Sequence, residues 1–279
     1  MPKSGKLDEP DKKTIIFCVV FILYLQEERK KMKRQTTAAI AAILMLALAA
    51  CGNAKTETTA TPAAFEDVKG EGVMTHAEYI AAPVDSEVTI EAYVQGKQSW
   101  WENKATLYTQ DQDGAYFLYD AECSQADYDK LTPGTKIKAT GYKAEWNGEI
   151  EIAEGKITIE DGNYVAPAFD ATSLLGSDKL IDHQNELVSF TGLTVADKGD
   201  GQAFFYNWDN SGTKGDDLYF DVSVNGNTYS FTVESYLCDM NSDVYKAVEN
   251  LKVGDTIDCQ GFLYWYEGAN PHITSVTVK

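Results

Sequence analysis

Arginine occurs twice in the 279 residues, at Arg29 and Arg34, and never after. Residues 1–50 hold nine of the 24 basic and five of the 43 acidic side chains, so the remainder depends on lysine alone and carries a net charge of −23. Guanidinium forks are the strongest binders of phosphates and base edges, and backbone binding needs basic patches. The sequence therefore predicts against nucleic acid as a partner. Histidine is limited to His76, His183 and His272. There is no Cys/His ligand spacing, no G-x-S-x-G, no P-loop and no H-E-x-x-H. With no nucleophile and base in evidence, the reading is a non-catalytic protein. Carboxylates are abundant, and Glu145 with Glu151, near Trp146, is the one hidden acid pair considered; a glycosidase would need them about 5–10 Å apart. After Cys51 only Cys123, Cys238 and Cys259 remain. An odd, scattered set gives no disulfide framework. Cys238 and Cys259 could pair within one domain, but buried free thiols are the simpler reading.

The N-terminal part carries an address. Met32-Lys33-Arg34 leads into an apolar run from Ala38 to Ala50, which ends Leu48-Ala49-Ala50-Cys51-Gly52. A basic start, an apolar middle and small residues before a cut site mark a secretory signal peptide. The stretch resembles the bacterial lipobox. That resemblance implies a signal peptide over 32–50, cleavage just before Cys51 and a diacylated Cys51. It implies a lipoprotein whose membrane contact is the lipid anchor, on the outer, extracytoplasmic face of the cell membrane. Two acyl chains, at about 0.8 kcal/mol per buried methylene, hold a protein stably. Residues 51–72 read as a tether: Asn53 to Ala64 is Thr/Ala-rich, with Pro62 and no large apolar side chain before Phe65. An acidic domain on such a tether stands off an anionic membrane surface. Upstream, Thr14 to Leu25 is apolar but shorter than the roughly 20 residues of a membrane span. Glu27 to Lys31 can be written in purine-only codons, as a translated ribosome-binding site would be. Residues 1–31 are therefore read as an upstream extension and Met32 as the start.

The rest is organised by a repeat. Leu131, Gly134, Ile137, Gly141 and Tyr142 recur in register as Leu251, Gly254, Ile257, Gly261 and Phe262, offset by 120 residues. Each copy continues to a Trp (Trp146, Trp265), a Gly (Gly148, Gly268) and a final alternating strand. Upstream, each has an alternating strand (Val88 to Val94; Leu187 to Leu193) and a hairpin turning at Asp113-Gly114 or Asn225-Gly226. A short helix follows, capped by Ser124 in one copy and by Asn241 or Ser242 in the other. Strand, hairpin, helix, strand, strand resembles the OB-fold, a five-stranded Greek-key barrel. The resemblance covers about 84–160 and 186–279. It implies a mainly β protein of two consecutive small five-stranded OB-fold-like barrels, each with one short helix. Domain 1 spans 73–160, with a short helix at 73–82; a connector spans 161–185; domain 2 spans 186–279. Another pair of small β-barrels or sandwiches is the alternative.

OB domains bind along one barrel face, between the loops after strands one and four. All five tryptophans map to those loops. Trp100, Trp101 and Trp146 fall there in the first copy, and Phe205, Trp208, Trp265 and Tyr266 in the second. Such rings stack on sugars or bases, or plug barrel ends and the contact between barrels. The sequence thus points to a glycan or peptide ligand, or to an envelope protein as partner in a structural role. Single-stranded nucleic acid on the OB face is disfavoured by the charge. The acidic loops around Asp197 and Asp200 and around Asp209, Asp216 and Asp217 resemble oxygen-rich Ca2+ loops without the twelve-residue EF-hand spacing. Solvated turns are the simpler reading, and no cofactor is expected.

Overall fold

The computed structural model describes residues 69–279; the expectations for 1–31, 32–50 and Cys51 lie outside the described residues. Helix α1 (His76–Ala81) opens on a capping box. Glu78 N donates to Thr75 Oγ1, and Thr75 N donates to the Glu78 carboxylate. Its C-terminal carbonyls would be orphaned. Buried Lys143 takes them, its Nζ donating to the carbonyls of Tyr79, Ile80 and Ala82 at 3.1, 2.7 and 2.9 Å.

The first barrel comprises β1 (Glu87–Lys97), β2 (Lys104–Gln110), β3 (Ala115–Glu122), α2 (Gln125–Tyr128), β4 (Thr135–Trp146) and β5 (Glu149–Asn163). It closes in the order β1-β2-β3-β5-β4, with β3 and β5 parallel. Asp111 Oδ1 accepts from the backbone N–H of Asp113 and Gly114 and so forms the β2–β3 turn. The chain then passes through β6 (Phe169–Asp170) and two 3-10 turns (Thr172–Leu174 and Leu180–His183). The second barrel follows with β7 (Leu187–Val195), β8 (Phe204–Tyr206), β9 (Leu218–Val224), β10 (Asn227–Val233), α3 (Asp243–Glu249), β11 (Thr256–Phe262) and β12 (His272–Val278). The sheet order is β6-β7-β11-β12-β10-β9-β8, and the β7–β9 pairing closes five of these strands into a barrel. β10 and β12 are parallel, the counterpart of β3 and β5. Both barrels therefore have the OB strand order that the repeat predicted. β6 and β8 are additions that the sequence reading did not foresee.

The repeated glycines explain why the two copies share a pattern. Gly134 and Gly254 turn the chain into β4 and β11 with φ of +96° and +94°, a region costly for other residues. Gly141 and Gly261 sit where the strand ladders shift register. A Cβ on Gly141 would lie 2.6 Å from the Ala153 carbonyl oxygen, and one on Gly261 would run into the carbonyl of His272. Asn225 and Gly226, both at positive φ, make the two-residue β9–β10 hairpin. Ser124 and Ser242 cap α2 and α3. Alternate residues fill each interior: Ile90, Leu107, Leu118, Ile137 and Ile152 in the first barrel, and Phe190, Phe220, Phe231, Ile257 and Ile273 in the second. Cys123, Cys238 and Cys259 are free thiols. Burial raises all three pKa values, that of Cys238 to about 11, so they stay protonated at neutral pH.

Candidate binding face

The outer side of β2–β3 is where an OB barrel takes its ligand. In the first barrel that surface is sealed. Tyr108 and Phe117 alternate outward from Leu107 and Leu118, and the second barrel covers them. Tyr108 stacks on Phe262, centroids 4.3 Å apart and rings 11° from parallel, while Phe117 meets Tyr264 edge-on at 5.4 Å. Polar contacts frame this core. Leu187 N donates to Gln110 Oε1 at 2.8 Å, Ser99 N to the Tyr236 carbonyl at 2.7 Å, and Glu267 N to the Asn147 carbonyl at 2.8 Å. Tyr108 Oη and His272 Nδ1 are hydrogen-bonded at 2.7 Å. Burial pulls the His272 pKa down to about 3, so the ring is neutral. Glu149, wholly buried beneath this contact, accepts at Oε2 from Trp265 N (2.9 Å) and Gln184 Nε2 (3.1 Å), while its Oε1 has no protein partner. Burial pushes its pKa up to about 8.

The equivalent surface of the second barrel is open. Tyr219 of β9 pairs with Thr232 of β10, and both alternate outward from core residues Phe220 and Phe231. With Trp208 from the loop after β8, Asp217 and Glu234 at the strand ends, and Tyr264, Tyr266, Glu267, Asn270 and His272 from β11–β12, they line a cleft of about 760 Å3. Trp208 is 73 % exposed. Glu234 is nearly buried; its two carboxylate oxygens accept from the N–H of Tyr236 (3.1 Å) and Leu237 (2.9 Å). Desolvation outweighs those bonds and raises its pKa to about 7. Asp217 Oδ1 accepts from both Ser235 N and Ser235 Oγ. Desolvation and these two carboxylates push Tyr219 up to about 12.

Of the residues singled out in the sequence, this cleft gathers Trp208 and Tyr266. Trp265 packs instead against the second barrel's core, beside Gly148 of the first. Phe205, in β8, pairs with Tyr219 and covers Gly199. Trp100 is fixed by its Nε1, which donates to the Cys123 carbonyl at 2.9 Å. Together with exposed Trp101 it lines a separate cleft of about 530 Å3, with Lys104, Thr106, Tyr119, Asp120 and Tyr236. Trp146 projects from the β4–β5 hairpin into solvent. Tyr219, Glu234, Tyr264, Asn270 and His272 escaped the sequence reading. For Tyr219 the signal was present: period-two alternation along β9 puts it on the outer face.

Neither the Glu145–Glu151 pair nor the acidic loops form the site expected of them. Strand register sets Glu145 opposite Ile150 and Glu151 opposite Ala144. The two carboxylates therefore leave opposite faces of the hairpin and form no acid pair. The aspartates of the acidic loops cap turns. Asp197 Oδ1 accepts from Gly199 N and Gly201 N, Asp209 Oδ1 from Ser211 N, and Asp216 Oδ2 from Thr213 N. Among the described residues no group of three or more His, Cys, Asp or Glu side chains could hold a metal ion, so the Ca2+ reading of Asp197, Asp200, Asp209, Asp216 and Asp217 has no support.

Strand order, closure and parallel pairing define two OB-fold-like barrels in tandem. No protein-family model matches it, and no curated protein does. Solved structures do. It is similar to a p204 HINb domain (13 % identity, 71 % of this chain and 100 % of that one, TM-score 0.34). It is similar to a murine DNA-binding protein bound with ds DNA (11 % identity, 68 % and 94 % covered, TM-score 0.33). A third is a Replication Protein A heterotrimer bound to ssDNA (13 % identity, 69 % and 49 % covered, TM-score 0.28). Two of these three hold DNA. That finding stands against the expectation, from the chain's acidity, that nucleic acid is no partner.

Proposed function

We propose that this chain is a lipid-anchored extracytoplasmic binding protein, without catalytic chemistry of its own, that holds a peptide or glycan on the open face of its second barrel. One observation carries the reading. The two barrels repeat one fold, yet the first has its ligand-type surface closed by Tyr108, Phe117, Phe262 and Tyr264, while the second keeps its own as a cleft walled by Trp208, Tyr219, Tyr264 and Tyr266. Exposed aromatic rings beside hydrogen-bonding groups suit sugar rings and peptide side chains alike. The anchor rests on the lipobox-like Leu48-Ala49-Ala50-Cys51 and the Thr/Ala-rich stretch behind it.

Two experiments test the two halves. Full-length chain purified in detergent is titrated with a glycan and peptide panel while tryptophan fluorescence is followed. A response abolished by Trp208→Ala supports the face, and a panel-wide silence sinks it. In cells fed a labelled fatty acid, Cys51→Ser should lose both label and membrane fractionation; retention of either contradicts the anchor.

A further inference from the structure

The open cleft contains three carboxylates, from Asp217, Glu234 and Glu267, and no lysine. Among the described residues none of the three has an ion-pair partner. The three least exposed ion-paired lysines are committed elsewhere: Lys69 to Asp111, Lys136 to Glu91 and Lys198 to Asp221. The carboxylates are also held in place. Glu234 is pinned by two backbone N–H groups, and Asp217 by Ser235 through Oδ1 only, which leaves Oδ2 without a partner among the described residues. Trp208, Tyr219 and Tyr266 line the cleft with π systems, and the face of such a ring attracts cations within about 6 Å. A second polar feature points to more than a bare amine. His272, 6 % exposed, lines the cleft with Nδ1 engaged by Tyr108 and Nε2 without a hydrogen-bond partner among the described residues. A peptide supplies both N–H and C=O beside its side chain and can satisfy that nitrogen in either neutral tautomer. A neutral glycan would leave the carboxylates of Asp217 and Glu267, and Glu234 once ionised, uncompensated in a chain already at −19.

We infer that the ligand of this cleft is a peptide read through a lysine or arginine side chain, its cation seated among Trp208, Tyr219 and Tyr266 and against Asp217, Glu234 and Glu267. This rests on the open-face reading above and adds the ligand's class. The test uses full-length chain in detergent and three probes: a six-residue oligolysine, a neutral six-unit cello-oligosaccharide and an oligothymidylate. Titration calorimetry and tryptophan quenching are the readouts. Oligolysine should bind, weaken at least tenfold in Trp208→Ala and in Glu234→Gln, and weaken further as salt rises from 50 to 500 mM. The double variant Asp161→Asn, Asp178→Asn removes two exposed carboxylates outside the cleft and should change affinity less than twofold. An equal loss in that variant means adsorption to overall charge and overturns the inference. Oligosaccharide or oligothymidylate binding that depends on Trp208, with oligolysine inert, overturns the ligand class and leaves the face standing. If Trp208→Ala alters the binding of no probe, the face itself falls, and the inference with it.

Discussion

Glu149→Gln should abolish most of a pH dependence of stability that the barrel contact builds in. Glu149 is wholly buried, and its pKa rises from 4.5 to about 8. Gln184, Asn185 and the Trp265 N–H face it, with Glu151, Tyr79 and Tyr264 in electrostatic range; no basic group is among the causes of its shift. The folded protein keeps this proton up to about pH 8, whereas the unfolded chain releases it near 4.5. Across that window the folded state binds more protons, so stability must fall as pH rises and level off above about 8. At 1.36 kcal/mol per pKa unit the loss is on the order of 3–5 kcal/mol. A chain of this size shifts by about 2–4 °C per kcal/mol. Glutamine retains an oxygen for Trp265 N and cannot ionise. The Tm advantage of the variant over the wild type should therefore grow by roughly 6–20 °C between pH 5 and pH 9 in scanning calorimetry. Parallel curves for the two proteins over that range would refute the reasoning.

Three other outcomes follow from the same fold and cleft. Phe262→Ala removes the ring on which Tyr108 stacks and should cost about 3–5 kcal/mol, with the single calorimetric transition broadening or splitting as the barrels uncouple; an unchanged, single transition counts against the sealed contact. Gly261→Ala forces a methyl group into the His272 carbonyl and should destabilise by about 1–3 kcal/mol, read from the urea midpoint. Oligolysine affinity should rise roughly three- to tenfold as pH climbs through about 7 and Glu234 ionises among Asp217, Tyr219, Cys238 and Tyr264; a flat profile from 5.5 to 8.5 contradicts that role.

The fold was legible because its constraints are local. Gly134 and Gly254 are required by positive φ, Gly141 and Gly261 by backbone contact, and Asn225-Gly226 by a two-residue turn, so the repeat carries the topology in single residues. β6 and β8 were not legible: two or three residues carry no period, and each forms only because a neighbouring strand offers an edge. The candidate cleft was legible in part. Loop position predicted Trp208 and Tyr266 at the cleft. Nothing local marks Trp265 as a contact residue or Trp100 as a hydrogen-bonded anchor, because both roles depend on what the chain packs against later. Equivalent tryptophans in two copies of one fold thus met different fates once the barrels docked.

In the proposed function the second barrel, not the first, presents the ligand face. Trp208→Ala, Trp101→Ala and Trp146→Ala in otherwise intact full-length chain, each titrated with the same responding probe, test it most directly. A stacked ring contributes about 1–3 kcal/mol, so Trp208→Ala should weaken binding roughly tenfold or more, with the other two within twofold of wild type. A loss confined to Trp101→Ala or Trp146→Ala, with Trp208→Ala silent, would place the ligand on the first barrel and contradict the account.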